Sequence, residues 1–312
     1  MGRYIIRRLV QAIPVLLGAT LLVYAVVFAL PGDPVEVLAG DKRMDPHIAA
    51  VLRERYHLDD PFLLQYWHYL TGLFHGDLGV TVSGGSVSDI LAGRFQVTAN
   101  LAMTALVMEA LAGVGLGLYA ALRHGRAQDS LVLAATLILI SIPPLVTGFV
   151  LQLLLGVRLK QAGLDLFPVA GLAEGWRGYL LPGLVLAGTS IAYLTRLTRT
   201  SLVETLRADY IRTATAKGLP RRRVVGRHAL RNALIPLITY LGADFGTLMG
   251  GAVITETVFN LPGIGQQLFT SVSQREQPVV VGVVTLLVLI YVLANLVVDL
   301  LYAVLDPRIR YE

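Results

Sequence analysis

Four carboxylates interrupt otherwise apolar stretches of this sequence: Glu109, Asp244, Glu256 and Asp299. An ionisable group inside a long apolar run is costly to bury, and where it persists it marks a functional position by default. Glu256 and Asp299 lie near the ends of their runs, within reach of a polar boundary, so structural roles are expected of them. Glu109 and Asp244 lie deeper, about ten residues in, which is roughly 15 Å along a helix and close to mid-bilayer. A carboxylate there can pair with a cation or an ammonium group. A protonated or hydrogen-bonded carboxyl there can equally hold helices together. Both roles fit the residues.

Other chemistries find no support. The chain contains no Cys, which excludes disulfides, thiolate metal sites and cysteine nucleophiles. Its three lysines, Lys42, Lys160 and Lys217, follow Asp41, Leu159 and Ala216. A P-loop needs Gly directly before its Lys, so no Walker A motif exists here and any ATP chemistry must lie elsewhere. The six histidines include no H-E-x-x-H pair, and no G-x-S-x-G occurs. No catalytic, cofactor-binding or metal-binding residue is therefore assigned, which weakens the case for an intramembrane hydrolase. Gly115-x-Gly117-x-x-Ala120 loosely matches a dinucleotide fingerprint, but it lies in an apolar run with no preceding strand. Gly113/Gly117 and Gly242/Gly246/Gly250 repeat at four-residue spacing, the small-residue pattern of close helix contact in membranes.

The elements that must position these residues are membrane spans. Of 312 residues, 55% are hydrophobic and 15% charged, against about 25% charged in an average soluble domain. A bilayer span takes about 20 mostly apolar residues. Such runs occur at Leu9–Leu30, Ala99–Leu122, Leu131–Val157, Tyr179–Leu194, Leu234–Val258 and Val279–Leu305. The fourth is short and contains Pro182. The expected fold is an all-α membrane protein of about six transmembrane helices.

Lysine and arginine bias sets the orientation. Placing the N-terminus inside puts 17 of the 26 Lys/Arg on the cytoplasmic side, in residues 1–8, 123–130, 195–232 and 306–312. Both termini are then cytoplasmic, and the net charge of +5 reflects membrane polarity rather than a nucleic-acid partner. The organisation is a tail and first span at 1–30, an extracytoplasmic loop at 31–98, a five-span core at 99–305 and a cytoplasmic tail at 306–312. Leu9–Leu30 exceeds the apolar region of a cleaved signal peptide and reads as a retained span. Within the large loop, Leu64, Trp67, Leu70 and Leu73 recur every three residues after Pro61. This predicts a helix lying at the outer surface or packed on the outer ends of the spans.

Ten Lys/Arg fall in the cytoplasmic segment 195–232. Leu206, Tyr210, Thr213 and Lys217 share one helical face, and Ala208, Ile211 and Thr215 a neighbouring one. Gly218 followed by Pro220 stops a helix, so the segment reads as a short helix ending near Lys217, a turn, and a restart near Arg222. A basic loop against anionic lipid is one reading of this knuckle. Small residues at Ala208, Ala214, Ala216 and Gly218 make poor lipid anchors and leave a smooth surface for a partner protein.

At these residues the sequence resembles the permease subunits of ABC importers, specifically the dipeptide/oligopeptide/nickel group. The general motif, EAA-x3-G-x9-I-x-L-P, places EAA on Arg212, Thr213 and Ala214 and its Gly on Gly218. Its I-x-L-P falls on His228, Ala229, Leu230 and Arg231, so the general form is degenerate here. "DYIRTATAKGL" followed by "RHALRNALIP" is similar to the form particular to this group. "IPVLLGATLLVY" into "LPGDP", "LDDPFLLQYWHYLTGLFHGDLG", "GGAVITETVFNLPGIG" and "NLVVDLLYAVLDPRIR" also resemble the group, in its order. The long outer loop resembles the B-type partner of the two paired permeases.

The resemblance implies a subunit of the bacterial inner membrane that forms a pathway with a second homologous permease. Two ABC ATPase subunits, which bind ATP and Mg, would lie below, and an extracytoplasmic solute-binding protein above. It assigns ATPase docking to Asp209, Tyr210, Arg212, Thr213, Ala214, Ala216, Lys217 and Gly218. Glu109 and Asp244 are the pathway candidates. A dipeptide or oligopeptide is the expected cargo; nickel or another small solute is the alternative. A channel is the remaining class, and it would leave the knuckle without a purpose.

Overall fold

The computed structural model describes residues 2–28, 45–55, 57, 59–81, 84–274 and 276–305. Among these the structure is helical, with one isolated bridge between Val80 and Ser86. Helix α1 (Gly2–Phe28) is followed by α2 (Pro46–Arg55), α3 (Phe62–Phe74) and α4 (Val87–Leu122). Then come α5 (Ala127–Ser141), α6 (Pro144–Leu151), α7 (Leu180–Leu206), α8 (Asp209–Ala216), α9 (Leu230–Phe259), α10 (Ile264–Ser273) and α11 (Gln277–Leu305). Among the described residues five helical stretches are long and apolar enough to cross a membrane, six if a bent pair is one span. Residues 31–44 of the outer loop and the 306–312 tail lie outside the described residues.

The boundaries differ from the sequence reading in three places. The second span does not begin at Ala99 but is continuous from Val87, where Ser86 Oγ accepts from Asp89 N–H as an N-cap. Residues 87–98, expected in the outer loop, are therefore the first turns of this helix. The third span is not one helix: α5 and α6 meet at 102°. Ile142-Pro143-Pro144 explains this, since proline lacks the amide donor and disfavours helix in the residue before it. The fourth span gains length instead. Pro182 stands in the first turn of α7, where it is tolerated, and the helix runs on to Leu206.

Helices α4 and α7 form the centre, with α9 across both and α11 behind α9. Glycine permits the closest approach: a Cβ at Gly117 would collide with Thr198 and the carbonyl of Thr195, and one at Gly113 would come 2.9 Å from Leu194 Cβ. Gly242 and Gly246 do the same against Val298 and Tyr291 of α11, whereas Gly250 faces open space. Of the dinucleotide-like pattern, Gly117 is thus a helix-packing position of α4, whereas Gly115 is exposed with open space beside it.

Helix α3 has two working faces. Tyr66 donates to the carbonyl of Leu17 at 3.0 Å, and Tyr69 hydroxyl lies 2.6 Å from Thr285 Oγ1. Phe62, Tyr66 and Tyr69 surround buried Tyr24 of α1. Burial pushes the Tyr69 hydroxyl pKa up to about 12, so it stays a neutral hydrogen-bonding group. The Leu64–Trp67 side is exposed, which suits an outer-surface helix fastened to the spans by its tyrosines.

Candidate functional site

The end of the bundle that the Lys/Arg bias assigns to the cytoplasm is built from α7, α8 and the start of α9. Helix α8 ends at Ala216 and is capped by Lys217 N–H donating to the carbonyl of Thr213. Gly218 follows at φ +74, a left-handed conformation that side chains disfavour. Pro220 then opens the turn Arg221–Arg223, which continues through a π-helical turn, Val224–Ala229, into α9.

The eight positions expected to dock an ATPase divide in two. Asp209, Tyr210, Arg212, Thr213, Ala216, Lys217 and Gly218 are exposed. Ala214 instead faces inward with Ile211, in a cluster with Ala121, Leu202, Val224, Ala229 and Ala233. A smooth surface at Ala214 is therefore not what α8 presents outward. Its small side chain lets α8 lie close to the bundle. Burying a side chain such as Ile211 contributes roughly 1.5–3 kcal/mol, so α8 is fastened rather than dangling. A polar tie adds to this: Asn232 Nδ2 donates to Tyr210 hydroxyl at 2.9 Å, joining α8 to the first turn of α9.

Beside this knuckle lies an ionic clamp between residues 70 positions apart in sequence. Arg199 of α7 donates from Nε to Asp129 Oδ1 at 2.5 Å and from Nη2 to Oδ2 at 2.7 Å. Asp129 is buried and also accepts from Gly125 N–H at 3.0 Å. His124 stands 3.3 Å from the same carboxylate. A two-pronged arginine–carboxylate pair fixes geometry as well as charge, so the start of α5 must move with α7. No local pattern in the sequence signals this pair.

The second region lies at mid-span. Asp244 is near the centre of α9, and Glu109 lies on α4; both are buried. The two carboxyl groups neighbour each other, with Ser190 and Tyr240 alongside. Among the described residues, neither Glu109 oxygen nor Asp244 Oδ2 has a well-formed hydrogen bond. A buried polar atom without a partner is costly and needs an explanation. Asp244 also lines a cavity of about 400 Å3 between α7 and α9, with Ser190, Thr247 and the stacked rings of Tyr193 and Tyr240. The ring centroids are 4.7 Å apart. Carboxylate, hydroxyls and aromatic faces together suit a small polar solute with a positively charged group.

Glu256 is a different case. It is buried rather than at a polar boundary, yet its role is structural as expected. Its carboxylate accepts from Thr98 Oγ1 at 2.6 Å and from Gln266 N–H at 2.9 Å. Thr98 Oγ1 in turn accepts from Ile264 N–H at 2.8 Å. The acid thus caps the N-terminus of α10 and binds α4, α9 and α10 together. The side chain of Asp299 lies outside the described residues.

Residues 113–311 match a family described as "Binding-protein-dependent transport system inner membrane component", and residues 1–96 match its N-terminal companion. The chain is 40% identical over 313 residues to a glutathione transport system permease protein, GsiC, of Salmonella typhimurium, covering 100% of both chains. It is 39% identical, with the same coverage, to the protein of that name in Escherichia coli K12. A solved amino acid ABC transporter overlaps it with TM-score 0.49 and 18% identity, over 71% of this chain and 94% of that one.

Proposed function

Since this chain belongs to the binding-protein-dependent transport system inner membrane component family, we propose that it is the permease of an ATP-driven importer for a small peptide or peptide-like solute. A second homologous permease completes the pathway, two ATPase subunits dock from the cytoplasm, and a solute-binding protein delivers cargo from outside. The observation that carries the cargo class is the mid-span cavity, where Asp244 offers a carboxylate to an ammonium group while Tyr193 and Tyr240 offer ring faces. The full-length identity to glutathione permeases supports a peptide-like solute of modest size.

The mechanism follows from the anchoring. ATP binding by the partner subunits closes them and displaces α8. Because α8 is packed on Leu202 and tied to Asn232, α7 and α9 move with it. Those same two helices line the cavity, so displacement at the cytoplasmic end changes access at mid-span. Differential nucleotide affinity for the two states supplies the bias.

The test is uptake into proteoliposomes containing this chain and its partner subunits. ATP-dependent accumulation of labelled glutathione or a dipeptide is expected, and it should fall when Asp244 is changed to Asn. Accumulation of Ni2+ with no peptide uptake would overturn the cargo class while leaving the permease role standing.

A further inference from the structure

The outer face carries a second group of chemistry-bearing residues, apart from those lining the mid-span cavity. His57 and His68 stack with ring centroids 4.1 Å apart and an interplanar angle of 18°. Asp60 Oδ2 lies 3.7 Å from His57 Nδ1 and 3.6 Å from His68 Nε2. One ligand atom from each of the three residues falls within 4.8 Å of the others. Ligands around one tetrahedral Zn2+, at bond lengths of about 2.0–2.2 Å, stand roughly 3.4 Å apart. The carboxylate distances are already close to that value. The three side chains are partly exposed, so a small opening of the ring pair can bring both nitrogens onto one ion.

The surroundings favour a cation. His57 and His68 line an outer cavity of about 680 Å3, where the fixed charges among the described lining residues are the carboxylates Glu54 and Asp77. The backbone holds the ligands in place from two elements. His57 N–H donates to the carbonyl of Glu54, and Asp60 N–H to that of His57, closing the turn. Gln65 Nε2 donates to the carbonyl of Asp60 at 2.8 Å, fastening that turn to α3, which carries His68.

We propose that His57, Asp60 and His68 form a divalent transition-metal site on the outer face, taking Zn2+ as a resident ion that clips the turn before α3 to that helix. Two imidazoles and one carboxylate select Zn2+ over Mg2+ or Ca2+, which prefer all-oxygen shells. A fourth position is left open to water or to a group from a partner docking over the cavity. This site stands apart from the cargo reading and does not depend on it.

The full-length chain, purified without a histidine tag into nanodiscs, is titrated with Zn2+ alone. One Zn2+ per chain is expected, undisturbed by excess Mg2+ or Ca2+. His57→Ala, His68→Ala and Asp60→Asn should each weaken binding by at least about tenfold, whereas His47→Ala should not. Zn X-ray absorption on the unaltered chain, which needs no variant, should show two imidazoles and a carboxylate oxygen. Equal affinity in the unaltered chain and the His57→Ala/His68→Ala double variant would overturn the site. So would a spectrum lacking imidazole, or ATP-dependent entry of Zn2+ into proteoliposomes, which would make the ion cargo.

Discussion

The knuckle around α8 and the mid-span cavity solve opposite problems with the same two helices. At the knuckle, charged and polar side chains of α8 face outward while Ile211 and Ala214 are buried. At mid-span, Glu109 and Asp244 are buried and short of partners, while the surrounding helices show apolar faces outward. A surface that receives another protein must be exposed yet mechanically stiff, so its evidence lies in how it is anchored. A site that receives a small solute must hold polar groups in reserve, so its evidence lies in what is left unsatisfied. Helices α7 and α9 join the two, so on the proposed mechanism force at one end alters binding at the other.

The knuckle should fail most sharply at Gly218. A valine there faces open space, but φ +74 is unfavourable for a branched side chain. Gly218→Val should abolish uptake while membrane insertion, checked by fractionation, remains normal. Normal uptake would show that the turn after α8 is not part of coupling.

The clamp comes next. Asp129→Ala leaves Arg199 partly buried without its partner, a change that typically costs about 3–5 kcal/mol for a buried pair. Thermal unfolding in detergent should shift strongly downward, and Asp129→Ala/Arg199→Met should recover part of the loss. If the double variant is no more stable than the single one, the pair is not acting as a clamp.

At mid-span the effect should be selective rather than general. Glu109→Gln with Asp244→Asn keeps the shape of both side chains and removes their charge. Uptake of a peptide with a free ammonium group should fall more than uptake of its N-acetylated counterpart. An equal loss for both, measured in parallel, would make the pair a helix-packing device.

Smallest of the set is Tyr210→Phe, which removes one hydrogen bond from Asn232, worth about 1 kcal/mol. Insertion and stability should barely change. ATP hydrolysed per solute transported should rise, because α8 would then drive α9 less firmly; an unchanged ratio would assign coupling to the Leu202–Ile211 packing alone.

Much of this was readable before the fold was known, for identifiable reasons. Long apolar runs and local stop signals such as Gly218–Pro220 are encoded within a turn or two of chain. The bend at Pro143–Pro144 carried a local signal too, but an apolar run read for length alone passes over it. Long-range pairings were hidden. Nothing local links Asp129 to Arg199, or brings Thr98, Glu256 and Ile264 into one network. The inward turn of Ala214 was missed because small residues suit both a smooth outer surface and a close internal contact. The histidine pair escaped because His57 and His68 come together only through the turn before α3.

On the proposed mechanism α8 is where the ATPase subunits hold this permease. The chain has no native cysteine, so single cysteines can be placed without background. Ala216→Cys, on the exposed end of α8, should crosslink to an ATPase subunit in the assembled importer, with a yield that changes when ATP binds. Arg126→Cys, between α4 and α5 on the same side, should crosslink far less. Crosslinking at Arg126 but not at Ala216, in a complex that transports normally, would contradict the account.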